Sequence, residues 1–212
     1  MKNPSSGFTL IEVAVVMLLV AILASFLFPI FTDMQERAHI TQDLNNLRQL
    51  GIATQTYLND HDGVFFSLDQ ATNPWTKSLH PKYLPNWNIF QSSFDRRGAV
   101  ESDTTSPVSY GLNENIPGQS IDKIRSPSLF ILLAAAQNSN AQVQFSGTSA
   151  ATVTVKRAVS TPGGTAVGGT QNKRTRVNAL FADLHSETLL WTTFTMAAAG
   201  PTTDPSRFRW DP

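Results

Sequence analysis

The feature that most constrains this chain is a long apolar segment close to its N-terminus. Residues 13–31 carry no charge, and Ser25 is their only hydroxyl. About 18 apolar residues are enough for a helix that spans a bilayer. We therefore predict a transmembrane helix over residues 8–31, and the residues after it suit one soluble domain. Glu12, a carboxylate just inside the leading edge of this helix, needs a separate explanation.

The composition excludes several classes of function. The 212 residues contain 16 basic and 16 acidic side chains, whereas proteins that bind nucleic acid usually carry a basic excess. No nucleic-acid partner is therefore expected. The chain has no cysteine, which removes disulfides, thiolate metal sites and cysteine nucleophiles together.

The residues before the apolar segment are ordered differently from those of a secretory signal. Such a signal places its cleavage site after the apolar segment, whereas here the small residue Gly7 precedes it. One interpretation is an uncleaved signal anchor with Lys2 on the cytoplasmic side. The other is cleavage after Gly7, which leaves the apolar segment on the mature protein and gives Phe8 a positively charged amine.

The carboxylate of Glu12 favours cleavage. A charged group inside a spanning helix costs about 2 to 3 kcal/mol at mid-membrane, and it normally has a partner. Within one helix the geometry between the Phe8 amine and Glu12 is poor. A neighbouring copy, shifted along the helix axis, could place its own Phe8 amine against this carboxylate. The charge therefore suggests self-assembly of identical helices in a fixed register.

The sequence Gly-Phe-Thr-Leu-Ile-Glu at residues 7–12, followed by the apolar helix, resembles the class III signal of type IV pilins and type II secretion pseudopilins. The resemblance implies that a prepilin peptidase cleaves after Gly7 and removes residues 1–7 as a leader. It also implies that the new N-terminal Phe8 is methylated and that Glu12 guides the docking of subunits.

A location and a set of partners follow from the same resemblance. The chain would cross the inner membrane once, with its N-terminus in the cytoplasm and its C-terminal domain periplasmic or extracytoplasmic, and would then enter a filament. Its partners would be the prepilin peptidase, other copies of itself, related pilin-like subunits, the assembly platform in the inner membrane and membrane lipid.

The helical pattern continues beyond the apolar segment. Pro29 predicts a kink, and the alternative is a helix that ends at Phe28. Apolar residues at three- and four-residue spacings favour continuation, with residues 32–59 as the amphipathic half. The predicted helix covers residues 8–58, before a turn that ends at Gly63.

Patterns in the rest of the chain predict strands. The apolar run 128–134 is typical of a buried strand, and residues 177–187 are typical of a strand, a tight turn and a second strand. Alternating segments predict half-exposed strands around residues 143–145 and 153–155. The glycine-rich segment 161–170 lacks the Gly-Lys-Ser/Thr of a phosphate loop, so it predicts a flexible hairpin loop.

These elements predict an α+β fold, in which the long N-terminal helix packs on a small antiparallel β-sheet, as in pilins. The predicted soluble domain covers residues 60–212. Its parts are a long αβ loop region at 60–127, the sheet at 128–191 and a C-terminal tail at 192–212.

Candidate metal ligands are few. Asp183 and His185 belong to a segment that resembles the Phe-Ala-Asp-Gly-His motif of pilin-like proteins, but Leu184 replaces the glycine, so a turn with positive φ is not expected there. At two-residue spacing on a strand this pair would share a face, yet no third ligand is near. Asp60 and Asp62 lack the later ligands of an EF-hand. No cofactor is expected, and calcium is left open.

The four histidines and the scattered carboxylates form no recognisable catalytic constellation, so no enzyme is expected. The favoured function is a structural filament subunit. Because many pilins staple a C-terminal loop with a disulfide, the absence of cysteine favours a pseudopilin of a type II secretion-like system. The alternatives are a type IV pilin for adhesion, motility or DNA uptake, and a membrane-tethered extracytoplasmic binding module.

Overall fold

The computed structural model describes most of the N-terminal helix and the sheet. The described residues are 9–67, 75–95, 109–113, 115–135, 144–145, 169–172 and 175–195. The predicted leader, the strand around residues 153–155, the segment 161–168 and residues 196–212 lie outside these ranges. The chain divides into two compact units, Met1–Ala38 and His39–Pro212.

Helix α1 runs without interruption from Leu10 to Asp60, a length of 51 residues that includes Pro29. The predicted continuation through Pro29 is therefore confirmed, and the helix lies two residues further along the chain than predicted. The kink at Pro29 stays a prediction. After the helix, Asp62 and Gly63 adopt φ values of 52° and 73°. The Gly63 N–H donates to the Leu58 carbonyl at 2.8 Å, which is the six-to-one hydrogen bond of a Schellman motif.

The five described strands form one sheet in the order β3-β1-β2-β4-β5. Strands β1, β2, β4 and β5 pair antiparallel, while the short β3 pairs parallel with β1. The predicted α+β class with a small antiparallel sheet is therefore confirmed. The strands are β1 Tyr110–Asn113, β2 Ile131–Ala135, β3 Gln144–Phe145, β4 Arg176–Phe181 and β5 Ser186–Leu190.

Strand boundaries differ from the predicted ones in two places. The sheet begins at β1, inside the range that was predicted as the αβ loop region. The buried strand predicted at 128–134 begins only at Ile131, because Ser126 accepts the backbone N–H groups of Leu129 and Phe130 in a turn. The hairpin predicted within residues 177–187 is confirmed, since β4 pairs antiparallel with β5.

Short helices and aromatic side chains fill the region between α1 and the sheet. Helix α2 spans Trp75–Leu79, and 3₁₀-helices span Trp87–Phe90 and Ile121–Lys123. Trp75 and Phe90 are buried, with ring centroids 5.5 Å apart in an edge-to-face contact. These aromatic residues therefore anchor the region to the core.

The two faces of the sheet contribute to two separate hydrophobic clusters, because side chains alternate along β4. Leu180 belongs to the cluster that includes Leu47 and Leu50 of α1. Val177 and Phe181 belong to the opposite cluster. That second cluster includes Trp191 and Phe194 of helix α3, Trp191–Thr195.

The turn between β4 and β5 differs from the prediction. Leu184 adopts a φ of 70°, although the replacement of glycine by leucine argued against a positive φ at this position. Its N–H donates to the Phe181 carbonyl at 2.9 Å. The reason lies in α1: a Cβ on Gly51 would meet Leu180 Cδ1 at 3.2 Å and Leu184 Cδ2 at 3.6 Å. Gly51 thus allows α1 to approach β4 closely, and the Leu184 side chain packs against α1 at Gly51.

Candidate processing and assembly site

The first turn of α1 is organised by Thr9 and Glu12. The Thr9 N–H donates to Glu12 Oε2 at 2.8 Å, and the Thr9 hydroxyl donates to the same oxygen at 2.7 Å. In return, Thr9 Oγ1 accepts the Glu12 N–H at 3.4 Å. This reciprocal pattern is a capping box, in which a threonine at the N-cap and a glutamate three residues later satisfy free backbone donors. It explains why the helix begins at Leu10.

The structure describes only a part of the predicted processing and assembly site. Gly7 and Phe8 lie outside the described residues, whereas Glu12 is exposed in the first turn. Glu12 was expected to need a partner from a neighbouring copy, and the structure supplies an additional partner, Thr9, within the same chain. Sequence reasoning missed this contact. The spacing Thr-x-x-Glu at the start of an apolar helix was the signal that could have found it.

The apolar part of α1 is fully available to a surrounding medium. Every residue from Val13 to Phe31 is exposed in the isolated chain. Among the helices that the structure describes, α1 is the one long and apolar enough to cross a membrane. Its few hydroxyls are satisfied locally, since Ser25 donates to the Ile22 carbonyl at 2.7 Å and Thr32 donates to the Pro29 carbonyl at 2.8 Å. Such local bonds remove the cost of unpaired hydroxyls in lipid.

Comparison with known families decides what this site is. Residues 2–28 match the model of the prokaryotic N-terminal methylation motif, the signal of type IV pilins and pseudopilins. The N-terminus is a prepilin-type methylation signal. No curated protein and no solved structure matches the chain.

The methylation signal supports a type IV pilin-like or pseudopilin subunit, which is a structural role. It implies processing by a prepilin peptidase and assembly with other pilin subunits. Together with the apolar helix, it indicates anchoring in a membrane. The signal covers only the start of the chain, so the remaining candidate sites depend on their own geometry.

The candidate metal ligands Asp183 and His185 are explained by the turn between β4 and β5. Asp183 Oδ1 contacts His185 Nδ1 and accepts the His185 N–H at 3.2 Å. The imidazole also stacks on Phe181, with centroids 4.2 Å apart. No group of three or more potential metal ligands lies together in the part of the chain that the structure describes. The expectation of no cofactor, with calcium left open, stays a prediction.

Asp60, the other acidic candidate, is held by neutral and basic side chains from the segment after α2. Its Oδ2 lies 2.9 Å from Lys82 Nζ and accepts the Tyr83 hydroxyl at 2.9 Å. These contacts lower the pKa of the Asp60 carboxyl, with the hydrogen bond from Lys82 as the largest cause. This exposed ion pair links the end of α1 to the segment that follows α2.

A buried polar cluster around Asp43 was not anticipated from the sequence. Asp43 is completely buried, and its carboxylate accepts hydrogen bonds from the hydroxyls of Ser92 and Tyr110 and from Asn178 Nδ2. The Tyr110 and Asn178 bonds measure 2.6 Å and 2.8 Å. The partners lie 49, 67 and 135 residues away in sequence, so no local pattern could reveal them. The cluster joins α1 to β1 and β4.

Proposed function

We propose that this chain is a structural subunit of a type IV pilus-like filament, and specifically a pseudopilin of a type II secretion-like system. Residues 8–31 would anchor the processed subunit in the inner membrane, with the leader on the cytoplasmic side and residues 60–212 outside. The filament would form through the N-terminal helix, with partners that include other copies of the chain and an assembly platform in the inner membrane.

The observation that carries this proposal is the methylation signal, which runs directly into an exposed apolar helix. An exposed apolar face this long is stable only in lipid or against other apolar helices. A helical filament offers the second environment when the subunit leaves the membrane. The absence of cysteine supports a pseudopilin over the disulfide-stapled pilins.

Glu12 is the residue on which assembly would depend. In the isolated chain both bonds from Thr9 end on Oε2, and both come from neutral donors. Neutral donors leave the negative charge in place, so a cation remains a favourable partner in a low-dielectric surrounding. The amine of Phe8 from a neighbouring copy is such a cation, because methylation of an amine preserves its charge.

The Glu12 experiment separates the capping role of this side chain from its charge. Glu12→Gln removes the charge but keeps the capping box, because glutamine also serves at this position. Thr9→Ala weakens the box and keeps the charge. We expect Glu12→Gln to reduce assembled filament by about tenfold or more, since losing one partner of a desolvated charge pair costs about 2 to 5 kcal/mol. Sheared filaments would be quantified by immunoblotting against the membrane-bound pool.

Two controls make the result decisive. Mass spectrometry should find the Glu12→Gln protein cleaved before Phe8 and methylated, so that the loss arises after processing. Asp33→Asn, which removes an exposed charge from the same helix, should leave assembly unchanged. Filament yields equal to wild type in Glu12→Gln would show that the docking role is wrong. An intact leader on the wild-type membrane protein would refute the pilin-like function itself.

Deletion of the gene distinguishes the secretion system from a pilus. A pseudopilin is required for secretion of exported proteins into the medium, so these should accumulate in the periplasm of the deletion strain. Loss of surface fibres, motility or DNA uptake with normal secretion would instead identify a type IV pilin.

A further inference from the structure

The buried carboxyl of Asp43 has no part in the proposed assembly contact, yet it sits where α1 meets the sheet. Three segments donate to it: Ser92 follows a 3₁₀-helix, Tyr110 begins β1 and Asn178 lies in β4. Truncating either side of this junction would leave buried polar groups without partners. The cluster therefore ties the amphipathic half of α1 to the domain at one point.

The cluster can accommodate both protonation states of Asp43. The hydroxyls of Ser92 and Tyr110 can rotate, so either can donate to a carboxylate or accept from a carboxylic acid. Asn178 is fixed in orientation, because its Oδ1 accepts from Thr188 Oγ1 at 2.7 Å and from Gln171 Nε2. Its Nδ2 therefore donates to Asp43 in both states. Protonation removes the charge of the junction, and the carboxylic acid can then donate to one of the two hydroxyls while Asn178 keeps its hydrogen bond to Asp43.

No cation compensates the charge of Asp43 among the residues that the structure describes. The donors from the neighbouring segments are neutral, and Tyr110 is the titratable one. On α1 itself, His39 lies one turn earlier, with its ring 5.7 Å from that of Phe94. Burial consequently raises the pKa of the Asp43 carboxyl above its ordinary value, against the three hydrogen bonds, which lower it. Burial also raises the pKa of Tyr110 well above its usual value, so its hydroxyl stays protonated.

We propose that Asp43 is a proton-dependent joint between α1 and the sheet, which holds the two together more firmly when its carboxyl is protonated. A native pKa above the unfolded value means that the folded state binds the proton more tightly. The stabilisation is complete below the unfolded pKa, near pH 4, and is lost as the pH rises through the native pKa. Acidic conditions therefore favour the helix-docked domain.

Urea unfolding of the full processed chain in a non-ionic detergent tests this joint. Tryptophan fluorescence reports on the unit that contains Asp43, because all four tryptophans follow residue 74. Between the native pKa of Asp43 and its lower pKa in the unfolded chain, the unfolding equilibrium constant of wild type should fall by up to about tenfold for each pH unit of acidification. The Asp43→Asn variant should lack this part of the pH dependence of unfolding. Asp122→Asn, which alters an exposed aspartate, should keep the wild-type pH dependence.

The infrared carbonyl band of a protonated carboxylic acid gives a second, direct readout. Wild type should keep one such band to a pH above that at which exposed carboxyls ionise, and Asp43→Asn should lose it. If Asp43→Asn does not fold, Tyr110→Phe serves instead, since removing one donor to the carboxylate should move the titration of this band to higher pH. The same pH dependence in wild type and Asp43→Asn, or titration of the band together with exposed carboxyls, would overturn the proposal.

Discussion

Leu184 shows at the residue scale how a side chain can hold its own backbone in an unfavourable conformation. A leucine with a φ of 70° is strained by roughly 1 kcal/mol or more relative to a right-handed conformation. Its side chain is half-buried and lies close to Gly51 of α1. The packing of Leu184 offsets the strain, which is why the turn tolerates leucine where similar segments have glycine.

This balance predicts an unusual order of stability for two substitutions at residue 184. Leu184→Ala loses the packing and keeps the strain, whereas Leu184→Gly loses the packing and relieves the strain. We expect the glycine variant to unfold with a free energy about 1 kcal/mol higher than that of the alanine variant. Thermal or urea unfolding followed by tryptophan fluorescence measures the difference.

Leu190 provides the matched control, because it is also partly exposed but lies within strand β5. Glycine weakens a strand through its greater freedom in the unfolded chain. At this position the order should reverse, with Leu190→Ala more stable than Leu190→Gly. If Leu184→Ala had a free energy of unfolding equal to or higher than that of Leu184→Gly, the role assigned to strain would be contradicted.

At the scale of elements, Gly51 sets how closely α1 approaches β4. A Cβ at this position would lie 3.2 Å from the tip of Leu180, tighter than ordinary van der Waals contact. Gly51→Ala should be nearly neutral, because Leu180 can shift slightly and alanine favours the helix by about 1 kcal/mol. Gly51→Val adds two further methyl groups, and overpacking of this kind costs about 1 to 3 kcal/mol.

Urea unfolding of Gly51→Val beside Gln49→Val isolates the packing effect, since valine replaces an exposed residue of the same helix at position 49. Only the substitution at residue 51 should lower the unfolding midpoint substantially. Equal midpoints for the two valine variants would mean that α1 and β4 are not in tight contact at Gly51.

The elements that could be predicted from the sequence are those with local signals. Helix α1 was predicted from its apolar and amphipathic periodicity, and the β4–β5 hairpin was predicted from the strand pattern of residues 177–187. The positive φ of Leu184 was missed because its support comes from Gly51, over 130 residues earlier. The Asp43 cluster was missed for the same reason, since an aspartate on an amphipathic helix is indistinguishable from an exposed one until its distant partners are placed.

At the scale of the whole molecule, the residues that direct processing and the residues that form the folded core lie in different compact units. The methylation signal occupies residues 2–28, inside the compact unit Met1–Ala38. The sheet, the Asp43 cluster and both hydrophobic clusters belong to the unit His39–Pro212. A change at the cleavage position should therefore alter processing without altering the stability of the second unit, because distant sites with no shared partners act additively.

Gly7→Val tests this separation together with the cleavage site. A peptidase must approach the backbone closely at the residue before the cut, and a β-branched side chain would obstruct it. We expect the variant to accumulate in the membrane almost entirely as the precursor, identified by a mass that retains residues 1–7. Its urea midpoint by tryptophan fluorescence should equal that of the processed wild type. Ser6→Val, one residue further from the cut, should be processed normally. Efficient cleavage of Gly7→Val would place the processing site elsewhere, and a lowered midpoint would show that the two units are coupled.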